Sequence, residues 1–168
     1  VCFVNGNHEM CVERHQPERY QKFMDDLKNG GVQVLHNETA WFWIDGEKVA
    51  VTGYELPWEY YRRFSRRHPS VVGMERSIGK RKQDAYQILL THNPVFFEEY
   101  AAWGADFTFA GHLHGGFIRL PYFGGVISPQ FKLFPKYDRG LYQMDTSSMV
   151  VGAGMGNHSG LFRINNPT

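Results

Sequence analysis

The chain is organised around the stretch FTFAGHLHGGFIRL, from Phe107 to Leu120. A short apolar run ends in Gly111-His112-Leu113-His114, and two more glycines follow. If the segment is extended, His112 and His114 point the same way, because alternate side chains of a strand share a face. Small glycines let the backbone approach an ion or a phosphate closely. The pattern predicts a strand that delivers two imidazoles to a metal site, although Gly-His-x-His also occurs in ordinary turns.

Two further apolar runs end in a histidine-bearing loop. The run VCFVN leads into GNHE at residues 6–9, and the run YQILL leads into THNP at residues 91–94. Open α/β sheets collect their ligands at the carboxyl ends of neighbouring strands. We therefore expect the rings of His92 and His112 to lie within about 8 Å of each other, since metal–nitrogen bonds are only about 2 Å long. The full set expected to converge is Asn7, His8, His92, His112 and His114.

These motifs resemble those of the calcineurin-like metallophosphoesterases: GNHE, then a lone histidine after a strand, then GHLHGG. The segments GHLHGGFIRLP, YDRGLY and GAGMGNHSGLFRINNP are similar to a bacterial, often membrane-associated branch of that family. The resemblance covers nearly the whole chain. It implies an α/β (α+β) fold with four layers, α/β/β/α. It also implies one domain over residues 1–168, corresponding to the C-terminal two-thirds of the family domain. The family's Asp-x-His and Gly-Asp motifs do not occur here, so we expect the chain to be N-terminally truncated.

The resemblance also implies a reaction. Two divalent ions of manganese, iron or zinc would activate water against a phosphomonoester, a phosphodiester or a lipid-linked phosphate, as pairs of ions about 3.5–4 Å apart do. On the family pattern, Asn7, His92 and His112 would hold one metal and His114 the other. His8 would face the phosphate as a general acid or as a charge stabiliser. The alternative is a non-catalytic relative of the fold that holds one metal or none.

Charge counting limits what this chain can hold by itself. The four ligands are neutral, so two divalent ions would leave a charge of about +4 with no carboxylate to balance it. Glu9 is expected to cap a backbone or to support the ligands, and Glu9 or Asp106 would supply the bridge if the chain has one. We therefore expect one metal or none on this chain, and little phosphoesterase activity from it alone.

Composition favours one globular domain. The chain has 168 residues, of which 42% are hydrophobic and 15% aromatic, enough to bury a core. Its net charge of +1 gives no general affinity for polyanions, so nucleic acid is not an expected partner. The basic stretch at residues 62–82 is either a solvated helix face or a membrane-binding surface. No segment has the roughly 20 apolar residues of a membrane span. The residues are compatible with a cytoplasmic or a membrane-associated protein, because an upstream signal or anchor would not be visible in them.

Local patterns predict the first elements. A strand at residues 1–4, a helix at 17–29 and a strand at 32–36 form a β-α-β unit, with Asn7 and His8 in the loop after the first strand. A hairpin follows around Asp45-Gly46, whose two arms we expect to be buried on both faces. A strand at residues 1–4 without its family neighbours would leave an apolar sheet edge, so self-association is also expected.

The second half alternates strands with helices. Strands are predicted at residues 86–90 and 107–110, with a helix at 95–103 between them. The closing strands are expected to form a second, mostly antiparallel sheet at residues 141–144, 149–152 and 161–164. The stretch 122–137 is either a substrate-facing loop or an irregular cover over the sheet edge. His36 and His158 are candidates for supporting roles near the site.

Overall fold

A six-stranded sheet forms the centre of the fold. The computed structural model describes residues 1–62, 67–114, 118–120, 124–127 and 135–154, with the backbone alone at 118–120 and 124–127. The strands are β1 (Cys2–Phe3), β2 (Gln33–Val34), β3 (Thr39–Ile44), β4 (Glu47–Tyr54), β5 (Tyr86–Thr91), β6 (Phe107–Ala110), β7 (Ile118–Leu120), β8 (Gly124–Ile127), β9 (Gly140–Met144) and β10 (Ser147–Val151). The helices are α1 (Asn7–His15), α2 (Pro17–Asn29), α3 (Val71–Ile78) and α4 (Phe97–Trp103), with 3₁₀ turns at Trp58–Tyr61 and Pro94–Phe96.

The large sheet has the strand order β3-β4-β5-β6-β10-β9. The four central strands run parallel, and β3 and β9 are antiparallel strands at its two edges. Strands β1 and β2 form a separate parallel pair, and β7 pairs with β8 as a hairpin. Because the central strands are parallel, their carboxyl ends and the loops that follow lie at the same end of the sheet, which is called here the carboxyl edge.

Apolar clusters on both faces of the large sheet pack it against the neighbouring layers. On one face, Leu89 packs with Met74 of α3 and Tyr100 of α4. On the opposite face, Val51 packs with Leu35, which directly follows β2, and with Cys2 of β1. Helix α2 covers the small sheet from outside, since Phe23 meets the Phe3 ring edge-on at 5.9 Å between centroids. The layers are therefore α, β, β and α, and the mixed α/β fold class expected from the motifs is confirmed.

Several local predictions are confirmed. Helix α2 spans Pro17–Asn29 and β6 spans Phe107–Ala110, as the patterns indicated. The β3–β4 hairpin turns at Asp45 and Gly46, whose φ angles of 50° and 85° match the positive values that a type I′ turn needs. The first parallel pair, β1 with β2, is also present.

The arrangement of the closing strands was predicted wrongly. Strands β9 and β10 do not form a second sheet; β10 pairs parallel with β6 and so extends the large sheet. The burial expected for both hairpin arms holds for β4 but not for β3, where Trp41 and Trp43 are 46% and 72% exposed. Strand β3 has one neighbour in the large sheet because it lies at the edge. Residues 161–164, and most of the stretch 122–137, lie outside the described residues.

Helix α1 was not predicted from the sequence. It begins at Asn7, so Asn7 and His8 lie in the first turn of a helix and not in a loop.

Cys2 and Cys11 are both free thiols. No helix in the described ranges has the length and apolar character needed to cross a bilayer. In the basic stretch, the Arg81 guanidinium bonds to Asp106 and to the Gly104 carbonyl. Membrane contact through residues 62–82 stays a prediction.

The packing of α3 yields a stability prediction. Met74 is fully buried between α3 and the sheet, so Met74→Ala should lower the free energy of unfolding by about 2–5 kcal/mol, through lost burial and a cavity. Val72 lies on the same helix and is 56% exposed, so Val72→Ala should change it by less than about 1 kcal/mol. Urea denaturation of both variants measures the difference, and equal losses would contradict the described orientation of α3.

Candidate metal centre

The loops after the parallel strands meet at one edge of the large sheet. Two backbone hydrogen bonds continue the strand pairing into these loops. The Gly111 N–H donates to the His92 carbonyl at 3.1 Å, and the Gly152 N–H donates to the Ala110 carbonyl at 2.9 Å. The loops after β5, β6 and β10 are therefore held next to one another.

His92 and His112 are brought together by this pairing. Their ring centroids lie 5.0 Å apart with an angle of 64° between the ring planes. This distance is well inside the limit of about 8 Å that a shared metal sets. The expected proximity of the two imidazoles is observed, and their role as ligands stays a prediction.

The backbone at the two histidines of the GHLHGG motif is not extended. His112 and His114 have φ angles of 66° and 50°, in the left-handed region that is uncommon for residues other than glycine. The Leu113 N–H donates to the Gly111 carbonyl at 2.7 Å, which closes a three-residue turn around His112. The Leu113 side chain is 1% exposed and anchors the turn in the core. The expectation that a strand would orient both imidazoles is thus wrong, because β6 already ends at Ala110.

The loop after β1 packs directly against His92. A side chain at Gly6 would have its Cβ 2.7 Å from Nδ1 of the His92 ring, so only glycine allows this approach. The Gly6 N–H donates to the Glu9 carboxylate at 2.9 Å, across the first turn of α1. Glu9 therefore caps the helix that carries Asn7 and His8, as the sequence indicated.

Asn7 offers an oxygen with no described partner. Its side-chain Oδ1 is buried and accepts no hydrogen bond from the part of the chain that the structure describes. A buried acceptor left in this state costs free energy unless a ligand, an ion or water satisfies it. His8, the next residue, is exposed to solvent.

The electrostatics at His92 favour its neutral form. Burial lowers the pKa of His92 to about 4, with smaller contributions from the charges of His114 and His8, while the Glu9 carboxylate acts in the opposite direction. A neutral imidazole is the form that binds a metal. These charge contributions also show that His8, Glu9 and His114 lie near His92.

The donor set fits a divalent ion, although it is not a ready-made cluster. Within the described ranges, no group of three or more His, Cys, Asp or Glu side chains is gathered closely enough to hold a metal. What the site does provide is two imidazoles in contact and an unpaired carboxamide oxygen on the neighbouring helix. Nitrogen and oxygen donors of this kind suit manganese, iron or zinc.

Asp106 does not belong to this site. Its carboxylate accepts two hydrogen bonds from Arg81, at 2.9 and 3.0 Å, and one from the Gln87 N–H at 2.7 Å. It precedes β6, whereas the histidines follow that strand, so roughly 16 Å of strand separates the two ends. Asp106 serves to fix the opposite edge of the sheet.

Sequence reasoning missed Glu55, which directly follows β4. One carboxylate oxygen, Oε1, accepts the Asn5 N–H at 3.1 Å and lies 3.0 Å from Nδ1 of His36. The Glu55 backbone N–H in turn donates to the Asn37 side chain at 3.0 Å. The Asn5 side-chain amide donates to the Tyr20 hydroxyl at 2.6 Å. Glu55 thereby ties together the loops after β1, β2 and β4, including the segment that leads into Gly6. The supporting role considered for His36 matches this contact, and its involvement in the reaction stays a prediction.

Tyr61 was also missed as a site residue. Its ring lies 5.3 Å from the His112 ring and 6.1 Å from the His92 ring, measured between centroids. A Cβ at Gly154 would lie 3.1 Å from Nδ1 of His114, so the loop after β10 packs on the His114 imidazole. His158 lies outside the described residues.

The fold and these side chains define a class: α/β proteins that gather candidate metal donors at the carboxyl ends of parallel strands. Comparison with known proteins narrows it. The chain is 29% identical over 82 residues to the metallophosphoesterase YkuE of Bacillus subtilis, which covers 49% of this chain and 28% of that protein. It is 29% identical over 128 residues to YpbG of the same organism, covering 74% and 42% of the two chains. A Caenorhabditis elegans protein named as a metallophosphoesterase is 26% identical over 121 residues, covering 69% of this chain and 23% of its own length.

The resemblance to metallophosphoesterases carried by the motifs is thereby confirmed: this chain is similar to proteins named as metallophosphoesterases, at 25–29% identity. The likeness to a membrane-associated branch and the expected truncation stay predictions. The relatives include a nematode protein, so the similarity is not confined to bacteria. The chain spans 28%, 42% and 23% of the lengths of the three relatives. No family model matches the chain, and no solved structure matches it.

The close contact at Gly6 yields a prediction for metal binding. Gly6→Ala places a methyl group against the His92 ring, so the ring must move, and we expect the affinity for Mn²⁺ to fall by about 10–100-fold. Gly111→Ala is the matched control, because a Cβ there meets no atom of the described residues within 4 Å. Titration calorimetry with Mn²⁺ measures both variants. Equal affinities in the two would mean that the position of His92 does not matter for the metal.

Proposed function

We propose that this chain is part of a metal-dependent phosphoester hydrolase, with its reaction centre at the edge where His92 and His112 meet. The observation that carries the proposal is the packing of these two imidazole rings, whose centroids lie 5.0 Å apart. On the adjoining helix, whose cap Gly6 contacts His92, the Asn7 oxygen has no partner among the described residues. The similarity to proteins named as metallophosphoesterases supports the same reaction class.

Each residue has a proposed role. Asn7, His92 and His112 hold one divalent ion, and His114 contributes to a second one. Bound there, such ions would supply Lewis-acid activation of water and neutralise the charge of the phosphoryl group. His8, exposed on the first turn of α1, gives a proton to the oxygen of the leaving group or stabilises its charge. Imidazole suits this task because it titrates nearest to neutral pH.

The substrate is a phosphomonoester, a phosphodiester or a lipid-linked phosphate. Hydrolysis of generic aryl phosphomonoesters and phosphodiesters by the full-length protein in the presence of Mn²⁺ tests the class directly. Turnover that needs the metal and is lost with chelator supports the proposal. No turnover of either substrate by the protein, with the ion bound, would favour the second candidate described next.

The second candidate is a non-catalytic binding module that holds one metal or none. The observation in its favour is that the described residues gather no group of three His, Cys, Asp or Glu side chains. The charge balance points the same way, because the nearest carboxylates already have other partners: Glu9 bonds to Gly6, and Glu55 to Asn5 and His36.

Two variants separate metal binding from proton transfer. In the full-length enzyme, His112→Ala removes a proposed ligand, so both bound metal and divalent-dependent turnover should be lost. His8→Ala should lower turnover by about 10²–10⁴-fold, the usual contribution of a general acid, while leaving the metal content nearly intact. Metal analysis and rates are measured on the same samples. Equal loss of metal in the two variants would contradict the role given to His8.

A further prediction concerns the number of metals. We expect at most one tightly bound divalent ion per 168-residue chain, with little phosphoesterase activity, because four neutral ligands cannot balance a charge of about +4. Elemental analysis after dialysis against Mn²⁺ gives the ratio. Two tightly bound ions with robust turnover would mean that a carboxylate of this chain, such as Glu9, leaves its cap and bridges them.

A further inference from the structure

The rings of His92 and His112 both pack against a third ring, the phenol of Tyr61. This ring lies 5.3 Å from His112 at an angle of 68°, and 6.1 Å from His92 at an angle of 51°. The side chain is only 8% exposed. The 3₁₀ turn at Trp58–Tyr61, which follows β4, places it there. The Tyr61 ring therefore packs against two of the proposed ligands and also joins the apolar cluster around Met74 and Leu89, although it is not a ligand itself.

The Tyr61 hydroxyl is buried and has no hydrogen-bond partner among the residues that the structure describes. A buried hydroxyl in this state destabilises a fold, and phenylalanine would fill the same space without that cost. Such a group calls for a partner that binds from outside the chain. The neighbouring Tyr60 differs, because it is only half-buried and its ring packs edge-on against Phe96, with 5.7 Å between the centroids.

The charges around Tyr61 decide what kind of partner fits. Burial, and then the carboxylates of Glu55 and Glu9, raise the pKa of Tyr61 above its usual range. A tyrosine hydroxyl, with an ordinary pKa of about 10, is protonated at neutral pH and acts as a donor towards an oxygen acceptor. The same carboxylates repel a free anion, so an anionic acceptor should bind here only together with a cation that offsets their charge.

We propose that Tyr61 is a substrate-binding residue whose hydroxyl donates a hydrogen bond to a phosphoryl oxygen at the His92–His112 site. The proposal rests on the proposed function, since it takes the ligand to be a phosphoryl group held beside a divalent ion. A donor aimed at an oxygen where negative charge develops stabilises both the bound group and the transition state. Tyr61 then contributes to binding and to rate without contacting the metal.

Inorganic phosphate is the probe for this role. Its binding to the Mn²⁺-loaded protein is measured by calorimetry and as competitive inhibition of ester hydrolysis. Tyr61→Phe should weaken phosphate binding by about 10–100-fold, the loss expected for a hydrogen bond to a charged acceptor. The Mn²⁺ affinity should stay within about two-fold, and the thermal midpoint of the metal-free protein should not fall, because an unpaired buried hydroxyl has been removed. Tyr60→Phe is the control and should bind phosphate like the wild type.

The outcomes separate this proposal from the proposed function. If Tyr61→Phe binds phosphate as tightly as the wild type does, Tyr61 is not a phosphoryl donor, and the hydrolase proposal is unaffected. If Tyr61→Phe loses Mn²⁺ and phosphate together, Tyr61 supports the metal and the proposal is wrong. Wild-type phosphate binding that is equally strong without Mn²⁺ would contradict the charge argument. A wild-type protein that binds neither Mn²⁺ nor phosphate would overturn both proposals.

Discussion

The hydrogen bond from the Gly111 N–H to the His92 carbonyl, 3.1 Å long, is the contact on which the site depends. It continues the pairing of β5 with β6 beyond Leu90 and Phe109, the last paired residues of the two strands. Parallel register therefore dictates which loop residues lie side by side, and it sets the 5.0 Å separation of the two imidazoles. A slip of one residue would turn every side chain of β6 to the other face of the sheet.

The parts of the fold that follow local rules were predictable from the sequence. Helix α2 has Pro17 at its start and a regular apolar stripe, and the hairpin has the Asp-Gly pair that its turn needs. Helix α1 was missed because its cap is Gly6, which has no side chain to announce a helix start; the remaining signal was Glu9, three residues later. The position of β10 beside β6 is a contact between distant residues, and no local pattern encodes it.

The residues of the site also divide into those that the sequence could predict and those that it could not. The rule that ligands follow parallel strands found His92 and His112, and the same rule would have found Glu55, a polar residue directly after β4. Tyr61 had no such signal. It lies in a stretch rich in arginine and aromatic residues, where a ring facing the core cannot be told from one facing a site. Only the tertiary structure shows that this ring meets two imidazoles.

The site is held ready at a cost. A left-handed backbone at a residue such as His112 costs about 1–3 kcal/mol and persists only where its surroundings fix it; here the buried Leu113 and the bond to Gly111 do so. Burial keeps the pKa of His92 near 4, so its ring is already neutral and desolvated before any cation arrives. The proposed donors include no carboxylate, but the carboxylates of Glu9 and Glu55 lie close by and are tied to backbone N–H groups. They can therefore supply a negative field that attracts a cation without coordinating it, which reduces the charge imbalance that an all-neutral ligand set would otherwise create.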